Sequence, residues 1–104
     1  MNDREMLEYA AKAAGAVYVG WHQDGILVSW PGMTADSAVL WNPLEHDGDE
    51  ARLEAVLRLC IWWYPTYMAV GGVLEAYADH AGDHQAARRR AGVRAAAEIG
   101  RAMP

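Results

Sequence analysis

Apolar positions in residues 2–14 recur every three or four places, at Met6, Leu7, Ala10, Ala11 and Ala14. That spacing predicts an amphipathic helix, with Asn2 or Asp3 able to cap its start and Gly15 placed to release the chain. The period then falls to two. Val17, Val19 and Trp21 alternate with Ala16, Tyr18 and Gly20, and Ile26, Val28 and Trp30 repeat the pattern on one face. Between the two runs, His22-Gln23-Asp24-Gly25 ends in Asp-Gly, the strongest short hairpin signal. A hairpin is therefore predicted, ended by Pro31-Gly32.

Residues 31–46 read as irregular, with one short turn around 34–40, and Pro43 holds Asn42 away from helical backbone. A second helix is predicted from Asp47. Leu53, Val56, Leu57 and Cys60 form its inward stripe, while Arg52, Glu54 and Arg58 face out. Asp47 and Glu50 stand at capping-box spacing. Residues 61–70 are β-branched and aromatic, so they read as a strand, and Pro65 puts that strand at an edge or in a bulge. Gly71-Gly72 marks a second hairpin turn, and 73–78 alternates again. A last helix runs from about 84 to 102, rich in Ala and Arg, with Gly92 costing about 1 kcal/mol relative to Ala. Such a glycine often lets another backbone approach.

The order is α-β-β-α-β-β-α, which predicts an α+β fold: a mainly antiparallel four-stranded sheet from two hairpins, packed by three helices. At 104 residues the chain is expected to form one domain, 1–104. No apolar run is long enough to span a bilayer, and the start carries no signal-peptide hydrophobic region. With Cys60 alone, no internal disulfide can form. A cytoplasmic protein without membrane contact is the expectation.

The net charge of −5 is unevenly spread. Residues 1–84 hold 13 Asp and Glu against four Lys and Arg, whereas residues 85–104 hold five Arg and one Glu. A basic terminal helix on an acidic body fits nucleic-acid contact, and equally a helix lying across its own acids. Five Trp, five Tyr and no Phe point to half-buried rings with polar atoms to satisfy.

Trp41-Asn42-Pro43, then Asp49 with Ala51 at a helix start, then Asp83 before an Arg-Ala-Ala-rich helix together resemble small phage and prophage proteins of the NinX type. His84 departs from that pattern, which has a proline after the second capping residue. The resemblance covers most of residues 2–102. It implies an origin in a phage or prophage and a bacterial host, and implies no catalytic residues, since the function of that family is unknown.

Asp79-His80-Ala81-Gly82-Asp83-His84 nearly rhymes with Glu45-His46-Asp47-Gly48-Asp49-Glu50. His46, His80 and His84 are the candidate metal ligands if the two linkers meet, which would permit a metal-dependent enzyme. Helix starts explain the same acids better, because carboxylates accept from free N–H groups and meet the favourable dipole end. Of the hydroxyls Ser29, Thr34, Ser37 and Thr66, none sits in a nucleophile elbow. Asp36, Ser37 and His46 make a triad only on paper. Neither a catalytic residue nor a cofactor is assigned.

Two surfaces remain. Arg90, Arg94 and Arg101 form a helical stripe flanked by Arg88 and Arg89, able to contact phosphates. Against it stands the acidic chain as a whole, and Asp3, Glu5 and Glu8 are ready partners within the molecule. In the aromatic strand, Trp62, Tyr64 and Thr66 point one way and Ile61, Trp63, Pro65 and Tyr67 the other, so one row should be semi-exposed. The leading expectation is a non-enzymatic module that self-associates or binds a protein partner through Trp62, Trp63, Tyr64 and Tyr67. A nucleic-acid accessory protein using Arg88, Arg90, Arg94 and Arg101 is the alternative.

Overall fold

The structure, a computed structural model, describes residues 1–32 and 37–104. Part of the turn expected around 34–40, with Thr34 and Asp36, lies outside the described residues. Helix α1 spans Asp3–Ala13. Its N-cap Asn2 accepts from Glu5 N at 2.8 Å, and Glu5 reaches back to Asn2 N at 3.5 Å, a reciprocal capping box. Strands β1 (Val17–His22), β2 (Gly25–Ser29) and β3 (Val39–Trp41) then form an antiparallel meander. Helix α2 follows over Asp47–Leu57. A second meander comprises β4 (Ile61–Trp63), β5 (Tyr67–Val70) and β6 (Val73–Ala76). A 3₁₀ turn at Tyr77–His80 leads into α3, His84–Ala102.

The α+β class and the three helices are as expected, but the single four-stranded sheet is not. There are two separate three-stranded sheets, with strand orders β1-β2-β3 and β4-β5-β6. Two short strands make the difference. Val39–Trp41 pairs Ile26 with Trp41 and Val28 with Val39. The aromatic run does not continue through Pro65. It turns there, Tyr64 N donating to Tyr67 O at 2.9 Å, because proline cannot donate to a ladder but suits a turn.

Register also shifts in the first sheet. A bulge between Tyr18 and Gly20 sets Tyr18 opposite Val28 and Trp21 opposite Ile26, so Val17, Val19 and Trp21 do not share one face. Ile26 and Val28 are fully buried.

Helix α1 covers the first sheet, while α3 packs on α1, α2 and the second sheet. Its Val93, Ala96 and Ala97 join Met6, Leu7, Ala10 and Ala11 of α1 with Ile26, Val28, Trp41 and Leu53 in one core cluster. Its Ala87 and Ala91 join Met68, Val70 and Tyr77 in the other. Alanine on several sides lets three neighbours approach closely, and a helix apolar on so many sides must be buried on them.

The orientation of α2 departs most from expectation. Its buried residues are Glu50, Leu53 and Glu54, while Val56 is 57 % exposed and Cys60 is exposed beyond the helix end. Arg58 takes left-handed backbone (φ 54°) and stops the helix after Leu57, so the stripe never reaches Cys60. Glu50 therefore belongs to the interior and makes no capping box, and the N-cap, His46, makes no side-chain cap bond.

Candidate functional site: the uncovered face of the second sheet

Directly opposed residues of an antiparallel pair share a face. Ile61 opposes Val70, and Trp63 opposes Met68, which opposes Glu75. This face meets α3, and Met68 and Val70 are wholly buried. The other face carries the row Trp62, Ala69, Leu74 across all three strands, with Tyr67 opposite Ala76 beside it. Trp62 is 63 % exposed and Leu74 59 %, whereas Ala69 between them is buried. The two large side chains thus stand astride a small residue on an exposed face of the sheet.

The turn is fixed in place from below. Tyr77 donates its hydroxyl to Tyr64 O at 2.8 Å and its backbone N–H to Thr66 O at 3.2 Å. Tyr64 and Tyr67 stack, with centroids 4.6 Å apart and planes 14° apart. Trp63, on the opposite face, sits at the sheet edge over Tyr77 and His84 at 6.5 and 6.3 Å and remains half exposed. The expected alternation placed Tyr67 with Trp63. The turn at Pro65 resets the parity and puts Tyr67 with Trp62 instead.

Four of the five arginines of α3 are engaged by carboxylates. Arg88 donates twice to Glu54, at 2.9 and 2.8 Å. Arg89 reaches Asp47 at 2.7 Å and Leu44 O at 2.9 Å. Arg90 contacts Asp3 at 3.2 Å, and Arg94 contacts the buried Glu75 and Leu74 O. Arg101 is exposed and, among the described residues, has no ion-pair partner. Of the three acids on α1 offered by the sequence, Asp3 alone pairs with this helix. The other partners come from α2 and β6.

The histidines are not brought together. His46 begins α2, His80 shares a hydrogen bond with Glu75 at 2.9 Å, and His84 stacks on Tyr77 at 3.8 Å. Among the described residues, no group of three His, Cys, Asp or Glu could hold a metal ion. Asp83 accepts from Gln85 N and Ala86 N at 3.0 Å each, and the Ala86 N–H above all keeps its carboxyl below the usual range. Asp49 accepts from Asn42 N at 3.0 Å, tying the Trp-Asn-Pro segment to α2. An open cleft of about 610 Å³ lies beside His46, walled by Trp21, Leu40 and Leu44 and rimmed by Asp3, Asp24 and Glu45.

The sequence reading missed a pair of carboxyls. Glu50 and Glu54 are buried between α2 and α3. Burial would raise Glu54, but the Arg88 hydrogen bonds and one from Glu50 hold it below the ordinary value. Glu50 is pushed up to about 9, by burial first and then by Glu54. The signal was the i, i+3, i+4 spacing of Glu50, Leu53 and Glu54, passed over in favour of an apolar stripe.

Fold and surface together define a small α+β protein with two antiparallel meanders, one on each of two mutually packed helices, and one exposed aromatic sheet face. Compared with family models, curated proteins and solved structures, the chain matches none. Among the described residues, no helix is long and apolar enough to cross a membrane.

Proposed function

We propose that this protein is a non-enzymatic interaction module that pairs with a second copy of itself through the Trp62–Ala69–Leu74 face. One observation carries the reading: residues 61–74 contain no charged side chain, and their outer face exposes Trp62 and Leu74 around buried Ala69. Two copies each carrying −5 repel over most of their surfaces, and an uncharged apolar face is where like molecules can meet. An isologous contact would set the same row against itself about a two-fold axis. A phage or prophage origin and a cytoplasmic setting go with this reading, the origin resting on the NinX resemblance alone.

The nucleic-acid alternative draws less support, because Arg88, Arg90 and Arg94 each face a carboxylate that phosphate would have to displace. Sedimentation velocity over a wide concentration range tests the choice. A dimer that Trp62→Ala converts to monomer, with unchanged circular dichroism, is the expected result. A monomer at every concentration overturns self-pairing. Salt-dependent retention of labelled DNA or RNA, abolished by Arg90→Glu with Arg94→Glu, would favour the alternative.

A further inference from the structure

Glu50 is 1 % exposed, and as a carboxylate neither of its oxygens has a hydrogen-bond donor. Buried polar groups in native proteins nearly always find partners, so an orphan of this kind needs a reason. Arg88 does not supply one: its Nε lies 3.7 Å from Glu50 Oε1, outside hydrogen-bonding range, and both its short bonds go to Glu54. The backbone of α3 closes over the group, since a Cβ on Gly92 would come within 2.6 Å of Oε1. A protonated Glu50 resolves the difficulty, because its O–H becomes the donor in a hydrogen bond to Glu54.

We propose that Glu50 and Glu54 hold one proton between them, and that this proton latches α2 onto α3, so that the helix loosens as pH rises through neutrality. The neighbouring charges are compatible with one proton and no more. On α2 itself stand Glu54 and Asp47. On α3, the main element against which α2 packs, stand Arg88, bound to Glu54, and Arg89, bound to Asp47. With Glu50 neutral, these four charges cancel in pairs. With Glu50 ionised, an unpaired negative charge is buried against the α3 backbone, and such a charge is relieved by opening the interface to water.

The apolar attachment of α2 is thin enough for this to matter. Leu53 is its one fully buried apolar residue, and Val56 is exposed. Leu53, with Trp41, also lines an apolar groove of about 500 Å³ beside Trp30, so a loosened α2 would uncover both.

The sign follows from proton counting. Closed α2 keeps the proton up to about pH 9, whereas an opened helix releases it near the ordinary glutamate value of 4.5. Opening therefore expels a proton between those limits and becomes about tenfold more favourable per pH unit, levelling above them.

Amide hydrogen exchange from pH 6 to 9, corrected for the intrinsic rate of each amide, reads this opening. Residues of α2 should lose protection about tenfold per pH unit while those of α1 do not, and Glu50→Gln should abolish the slope. Carbon-13 titration of the native chain should place the Glu50 carboxyl near 9. A Glu50 that titrates in the ordinary carboxylate range overturns the proposal, as does an equal slope in Glu50→Gln or in α1. Should Glu50→Gln fail to fold, the titration of the native chain and its α1-against-α2 comparison decide.

Discussion

Gly100 of α3 lies against the backbone of Tyr9 in α1, so closely that a Cβ at position 100 would fall 1.9 Å from Tyr9 O. The contact is backbone to backbone, with no flexible side chain to give way. Gly100→Ala should therefore destabilise the protein by about 2 kcal/mol, against the roughly 1 kcal/mol gain that helix propensity alone would give. Urea denaturation checks the sign. Gly20, with nothing near its missing Cβ, is the control site.

Arg88 holds Glu54 with two hydrogen bonds in a site where Glu54 is buried. Arg88→Met should cost about 3 kcal/mol, because it strands a buried carboxylate. Adding Glu54→Leu should recover only part of that loss, since both charges are then gone but the Glu50 O–H loses its acceptor. Chemical denaturation of the two single variants and the double variant measures the coupling.

Glu54 also contributes to the acid limit. Its folded pKa lies below its unfolded one, so the stabilisation is present above pH 4.5 and is lost as pH falls through the lowered folded value. Stability measured from pH 4.5 down to 3, below the range in which the Glu50 proton acts, should decline in the native chain, and less so in Glu54→Gln. An unchanged decline in the variant would assign the loss to other carboxylates.

Tyr77 fixes the turn that presents Tyr64 and Tyr67, and Tyr77→Phe removes the hydroxyl bond to Tyr64 O while keeping the ring. A stability loss of about 1 kcal/mol is expected. Association through the Trp62 face should weaken only modestly, because the Tyr77 N–H to Thr66 O bond remains. Paired denaturation and sedimentation runs check both outcomes.

Elements whose pattern depends on local periodicity were legible. Helix α1, the Asp-Gly hairpin, the Gly71-Gly72 turn and α3 all follow the spacing of apolar residues and the turn chemistry. What was not legible depended on distant partners. Strand β3 has three residues, too few for alternation to register, and exists because β2 offers an edge. The inward face of α2 was misread because Glu54 appears solvent-facing until Arg88, 34 positions later, is placed opposite it. Gly92, expected to let another backbone approach, receives the Glu50 side chain instead. The aromatic segment was identified as a surface, but its rows were mispaired because the turn at Pro65 changes which residues share a side. Arginines that could have met phosphate found carboxylates on elements whose placement no spacing rule supplies.

The second meander closes on a helix that comes after it in the chain, whereas the first packs on α1, which comes before it. During synthesis, Met68 and Val70 emerge without the α3 surface that seals them, while Ile26 and Val28 already have α1. Contacts between the first and last helices also span much of the sequence, which slows folding. The nascent chain must therefore stay soluble with its second sheet open until residues 84–102 have left the ribosome, and chaperone demand should be greatest just before that point.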